Sequence, residues 1–159
     1  MKKVIVSIVF ISLLIFSCKR KQVDVPIFSY SILNDSVKNF KLNINEKQAT
    51  IYYEYLHQND SIKKLYLTYN NDKDILISNL DTFHFNKKTY NSKSLQFKFY
   101  QKKEINNHNR SLVFNENYGL LANLAYGSDY LFLKDSISKT DKKLLFKALF
   151  YDLNKIETD

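Results

Sequence analysis

From residue 27 onward, apolar and polar residues alternate with period two, broken at short intervals by Asn, Asp and Ser. Residues 49–58 read Ala-Thr-Ile-Tyr-Tyr-Glu-Tyr-Leu-His-Gln. In a strand, Ile51, Tyr53, Tyr55 and His57 share one face and Tyr52, Glu54 and Leu56 the other. Asn59-Asp60 is a turn signal, and the pattern resumes over 61–69 with Leu65, Leu67 and Tyr69 on one face, which predicts a hairpin. A turn at Asn70-Asn71-Asp72-Lys73 leads to a strand over 75–80. A shorter piece, 82–86, carries Phe83 and Phe85. Residues 95–102 set Leu95, Phe97 and Phe99 against Gln96, Lys98, Tyr100 and Lys102. Further strands are expected over 111–115 and 130–133, with 28–33 and 40–44 opening the sheet. Residues 120–126, between Gly119 and Gly127, are almost continuously apolar, which suits a strand covered on both faces or a short buried helix. The total is roughly seven to ten short strands at hairpin spacing.

The period changes near the C-terminus. Ser138 followed by Asp141 resembles a capping box. Leu145, Leu149, Leu153 and Ile156 then fall on one helical stripe with Phe146 and Phe150, opposite Lys143, Lys147 and Asn154. The expected fold is α+β and mostly β. It is an antiparallel meander, free to curl into a half-barrel or barrel, with one C-terminal amphipathic helix of about 16 residues covering one face.

The N-terminus follows other rules. Lys2-Lys3 precede a run from Val4 to Phe16 without a charge, then Ser17-Cys18-Lys19-Arg20-Lys21. The run is shorter than the roughly 20 residues a membrane-spanning helix needs, and has the flanks of a secretory signal. Ile15-Phe16-Ser17-Cys18 resembles a bacterial lipobox, in which the cysteine accepts a diacylglycerol and a peptidase cuts before it. Ser17 matches the small residue at the cleavage site, and Ile15 the aliphatic position. Phe16 departs from the usual small residue. Cys18 is the only cysteine in the chain. The resemblance implies lipid attachment at Cys18 and cleavage between Ser17 and Cys18. Residues 1–17 are then signal peptide, 18–26 a lipidated basic tether, and 27–159 a single domain. Lys19, Arg20 and Lys21 would lie at the headgroup level, each gaining up to about 1 kcal/mol from anionic lipid.

The N-terminus also resembles the small envelope lipoproteins of Bacteroidota, with their Lys-, Asn- and Ile-rich chains and Ser-Cys lipobox. In that group surface display goes with acids just after the cysteine. Here the first acid is Asp24, and the inner-membrane retention signal of other bacteria is absent too. The resemblance therefore implies an outer-membrane protein facing the periplasm.

Composition removes several classes of chemistry. Two glycines, eight positions apart, cannot supply a phosphate loop, a dinucleotide fingerprint or a nucleophile elbow. One cysteine excludes a disulfide framework and a Cys-rich zinc site. The formal charge of +8 comes from scattered lysines with only Arg20 and Arg110 among them, which does not describe a nucleic-acid site. No cofactor motif is present. His57, His84 and His108 lack a metal-ligand spacing. Asn70, Asp72, Asp74 and Asp81 follow calcium-loop spacing, but Ile75 stands where that loop needs Gly, so no metal is expected. Glu54 on a Tyr-rich strand is the one carboxylate that burial would make interesting.

The remaining clue is aromatic: Tyr53, Tyr55, Leu65, Leu67 and Tyr69 form a candidate ligand or partner face. The expected function is a lipid-anchored, non-enzymatic binding or assembly module that meets an envelope protein partner. The alternatives are a carrier of lipid or another apolar ligand inside a curled sheet, and an immunity or inhibitor lipoprotein.

Overall fold

A computed structural model describes residues 21–60, 62–103, 110–125 and 128–152. In it the alternating segments become ten antiparallel strands: β1 (Lys21–Ser31), β2 (Val37–Lys47), β3 (Thr50–His57), β4 (Lys64–Asn70), β5 (Ile75–Ser78), β6 (Asp81–Ser92), β7 (Leu95–Gln101), β8 (Ser111–Asn115), β9 (Gly119–Leu124) and β10 (Tyr130–Leu133). Each pairs with its sequence neighbours, and β1 also pairs with β10, from Phe28↔Leu133 to Ser31↔Tyr130. The sheet is a closed barrel, sealed by β1 and β10 over Phe28–Ser31.

Closure needs curvature. Register shifts interrupt β1–β2 between Gln22 and Val25, β6–β7 between Phe85 and Thr89, and β8–β9 beside Phe114. Asp24 and Lys87 lie inside the first two and have positive φ, as bulged residues that bend a strand often do. The bulge also explains a difference from the expected elements. The polar run Asn86-Lys87-Lys88 hides the continuation of β6, which extends to Ser92 rather than ending near residue 86. A second difference concerns the tether. Strand pairing begins at Lys21↔Asn45, so residues 21–26 are sheet and not tether, with Asp24 donating its N–H to Asn43 Oδ1 at 2.9 Å.

Two hydrophobic cores form because the wall has two kinds of strand. Through β2–β5, alternate residues point inward and the others meet solvent, as the pattern of buried and open residues along β3 and β4 shows. Ile27, Leu42, Ile44, Ile51, Tyr53, Tyr55, Leu67, Tyr69, Leu76, Phe83, Tyr100, Leu112, Phe114, Leu120 and Phe132 fill the interior. On β7–β10 and β1 the outward residues are buried as well. Tyr30, Phe97, Phe99, Val113, Ala122, Leu124, Leu131 and Leu133 form an outer core roofed by the C-terminal helix. The apolar run at 120–126 is thus a strand covered on both faces, β9. Leu95, Phe97 and Phe99 do alternate with Lys98 and Tyr100, but the phenylalanine face lies under the helix, while Tyr100 belongs to the barrel interior.

The helix α1 (Lys139–Phe146) continues into a π-helical turn, Lys147–Asp152, for a single helix of 14 residues. Its start is the expected cap: Ser138 Oγ accepts from the Asp141 N–H at 3.1 Å and donates to Asp141 Oδ2 at 2.8 Å. Leu149 is fully buried, with Leu145, Phe146 and Phe150 packed around it; Leu153 and Ile156 lie outside the described residues. Lys142 is buried too, against the apolar stripe. Its ammonium sits on Asp35 Oδ1 at 2.5 Å and 5.7 Å from the Tyr30 ring centre. Hydrogen bonds from Lys139 and Lys142 pull the Asp35 carboxyl down to about 2.

Leu149→Ala is expected to cost about 2–4 kcal/mol, since it removes a fully buried side chain from the outer core. Urea denaturation measures this; an unchanged midpoint would mean that the helix does not stabilise the wall.

Candidate functional site

In an antiparallel barrel with this strand order, successive connections alternate between the two ends. Lys21 and the β2–β3, β4–β5, β6–β7 and β8–β9 turns share one end. A polar cluster closes the interior there. Asp74 ends the β4–β5 turn with φ 48°. Tyr69 and Tyr100 both donate to its Oδ1, at 3.0 and 2.6 Å, and Lys98 Nζ donates to its Oδ2 at 2.8 Å. Lys98 also lies 5.0 Å from the Phe85 ring centre. A cavity of about 320 Å³ opens beside the cluster, lined by Tyr69, Asn71, Gln96, Lys98, Asn115 and Glu116 among others.

The electrostatics of the cluster are mutual. Desolvation works against the Asp74 carboxylate, yet hydrogen bonds from Lys98, Tyr100 and Tyr69 outweigh it and hold the group below the usual range. Burial, and then the Asp74 carboxylate, push the Tyr69 phenol up to about 12 and raise Tyr100 as well. Acid–base catalysis near neutral pH wants groups poised close to it, and these phenols move away from it. The cluster holds a half-buried ion pair, Asp74 with Lys98, and the adjoining cavity presents amide, carboxylate and ammonium groups suited to a small polar molecule.

The sequence-predicted face has a different job. Tyr53, Tyr55, Leu67 and Tyr69 point into the barrel and are buried, with Leu65 packed at their edge, so they are not a partner surface. Their hydroxyls tie β3 to the β8–β9 turn across the interior. Tyr53 donates to the Glu116 carbonyl at 2.6 Å, and Tyr55 Oη accepts the Leu120 N–H at 2.7 Å. Burial raises the Tyr55 phenol. Gly119 makes the second contact possible. Its φ is +91°, and a Cβ there would stand 2.6 Å from Tyr55 Oη. Rings fill the space between the walls: Tyr53–Phe114 are 5.1 Å apart between centres, Tyr55–Phe132 5.7 Å, and Tyr100–Phe114 6.0 Å.

Other candidates resolve separately. Asp74 faces Tyr69, Tyr100 and Lys98, whereas Asp81 starts β6 at the opposite end and pairs with Lys102 at 2.6 Å, so the calcium-loop residues do not converge. Among the described residues no group of three His, Cys, Asp or Glu side chains is placed to hold a metal. His57 packs edge-on against Phe40 at 5.2 Å and accepts the Asn59 N–H. His108 lies outside the described residues, as do Ser17, Cys18, Lys19 and Arg20. Glu54 accepts from Tyr66 on the outer face at 3.0 Å. Lys21 is a strand residue at the N-terminal end. Two grooves of about 560 and 530 Å³ flank α1, the first lined by Asp35, Lys139, Lys142, Lys143, Lys147 and Tyr151 among others. No helix of the described residues is long and apolar enough to cross a membrane.

No protein family, curated protein or solved structure matches this chain.

Asp74→Asn is expected to cost about 0.5–1 kcal/mol at pH 7, because an amide leaves Lys98 without its charged partner in a pair that solvent partly screens. A carboxyl lowered in the folded state stabilises above the ordinary aspartate range, about 4, and loses that contribution as pH falls through its folded value. The gap between variant and wild type should therefore shrink in acid. A gap that stays constant in denaturation curves from pH 7 down to acid contradicts the assignment. Gly119→Ala is expected to lower stability by about 2–4 kcal/mol, through the clash with Tyr55 and the strained φ. A melting temperature within about 2 °C of wild type would mean the turn has room for the methyl.

Proposed function

We propose that this chain is a lipid-anchored cell-envelope protein whose barrel serves as a non-enzymatic binding or assembly module. Acyl chains on Cys18 hold it to the outer membrane, facing the periplasm, and an envelope protein is its partner. One observation carries the reading: the only cysteine directly follows a charge-free run with a lysine pair before it and Ser17 at the cleavage position. The strand beginning at Lys21 adds a geometric consequence. Three residue steps separate Cys18 from the sheet and reach at most about 10 Å, so the barrel is held close against the headgroups. Lys19, Arg20 and Lys21 then lie where anionic lipid attracts them.

The non-enzymatic reading is supported by the chemistry of the barrel mouth. Its best-organised carboxylate already takes three donors, and its tyrosines titrate far from neutrality. The alternative, a carrier of an apolar ligand in the barrel, finds less support, because the aromatic rings of Tyr53, Tyr55, Tyr100, Phe114 and Phe132 occupy the interior such a ligand would use.

Cys18→Ala tests the anchor. The variant should take up no labelled palmitate, accumulate as uncleaved precursor and leave the outer-membrane fraction. Normal processing and labelling of the variant would refute the lipobox. Protection of the wild-type protein from protease added to intact cells is the expected sign of a periplasmic orientation.

A further inference from the structure

We propose that the barrel end remote from Lys21 docks on an anionic lipid bilayer through three aliphatic loop tips: Leu33, Ile62 and Leu80. The β1–β2, β3–β4 and β5–β6 loops all emerge at that end. Each carries one large aliphatic side chain in solvent: Leu33 is 76% exposed, Ile62 90% and Leu80 99%. Val37, beside the first loop, is exposed as well. Loops two strands apart stand about 10 Å from one another, so the tips form an arc roughly 20 Å across. The arc lies over β1–β6, largely the part of the wall that the helix leaves bare.

The fold does not ask for these residues. In the two-residue turn between β5 and β6, Asn79 supplies the positive φ of 57°, while Leu80 supplies neither φ nor packing. Asp60 builds the β3–β4 loop by accepting the Ile62 N–H at 3.1 Å and pairing with Lys63 at 3.0 Å. In the β1–β2 loop Asn34 accepts the Ser36 N–H at 3.1 Å. In every loop the polar residues make the turn, as turn chemistry requires, and the aliphatic one points away from it.

The surrounding charges select the occupant. Among the described residues Asp35, Asp60 and Asp81, in or beside these loops, are held by lysine: Asp35 by Lys139 and Lys142, Asp60 by Lys63, and Asp81 by Lys102, while the Asp129 carboxylate, beside the first loop, accepts the Ala125 N–H at 3.0 Å. Lys38 and Lys64 stand beside the same loops, and Lys103 follows β7 at the same barrel end. Separate aliphatic tips in a basic field fit an anionic leaflet: the tips enter the acyl boundary and the ammonium groups stay at phosphate level. A fluid surface accepts three spaced points without the shape complementarity that a protein groove requires. The bare wall extends the contact. Tyr52 and Tyr66 are exposed on the outer face of β3 and β4, where Tyr66 donates to Glu54; on β2 Lys47 is exposed and Lys41 pairs with Asp24 at 3.8 Å, and phenols favour the headgroup level. The eleven residues of β1 place the crown about 35 Å from Lys21. A barrel tethered closely at Lys21 therefore brings the crown to the same leaflet by lying on this side.

The inference rests on the crown and not on acylation of Cys18. Its test uses the chain from Lys21 onward, whose residues close the barrel and build both cores. The probes are phosphatidylethanolamine–phosphatidylglycerol vesicles and neutral phosphatidylcholine vesicles. The wild type should sediment with the anionic vesicles, less with the neutral ones, and be released by salt. Leu33→Ser/Ile62→Ser/Leu80→Ser should weaken binding at least about tenfold with an unchanged circular dichroism spectrum. The chain has no tryptophan, so Leu80→Trp is a clean reporter whose emission should shift to the blue on anionic vesicles and less on neutral ones. Equal binding by the triple variant, or an unmoved Trp emission, overturns the proposal. So does a dimer in solution that the triple variant abolishes without any vesicle binding, which would assign the crown to a second copy. Palmitate labelling at Cys18 reads the anchor separately, so either idea can fail alone.

Discussion

The pairing of β1 with β10 is the interaction on which the remaining structure depends. Four residue pairs, Phe28 to Ser31 against Leu133 to Tyr130, turn a meander into a barrel. They satisfy the backbone groups that two edge strands would leave open. They also give every side chain a choice between two surroundings only, the barrel interior or its outside. Bulges at Asp24 and Lys87 supply the bending that brings the two terminal strands together.

Once the wall is closed, its interior must be filled, and large aromatic residues do that here. Their polar ends decide which turns are held. Tyr53 and Tyr55 reach across to the β8–β9 turn, and Tyr69 and Tyr100 converge on Asp74. Buried phenols need such partners, because a hydroxyl without one costs more than the hydrogen bond returns. The aromatic content therefore explains the tightness of the N-terminal mouth better than it explains a binding face. The helix performs the matching task outside, covering the β7–β10 and β1 wall with Leu145, Phe146, Leu149 and Phe150.

The result is a barrel with two unlike ends. One end holds the start of the chain, the Asp74 cluster and a polar cavity. The other presents aliphatic tips between lysine-held acids. This polarity follows from the even strand count and the nearest-neighbour order, which send alternate connections to opposite ends.

Much of this was legible along the chain. Period-two alternation located most strands, with β8 and β10 matching their expected limits, and Ser138 with Asp141 marked the helix start. Local pattern suffices there, because pleat and cap are set by residues a few positions apart. The wall of β7 shows where it stops sufficing. Phe97 and Phe99 alternate with Lys98 and Tyr100, but period two alone leaves open which face is inside, and only the helix placed the phenylalanines outside. Lys98 and Tyr100 then turn toward Asp74, a contact between residues at least 24 positions apart that no local period encodes. Likewise the tether lost residues 21–26 to a strand, because β2 supplies the hydrogen bonds that this polar, Pro-containing stretch could not predict for itself. The sequence alone determined the sheet, the helix and the lipobox-like start. The tertiary structure decided closure, which face is inside, and which charges meet, because those depend on partners distant in the chain.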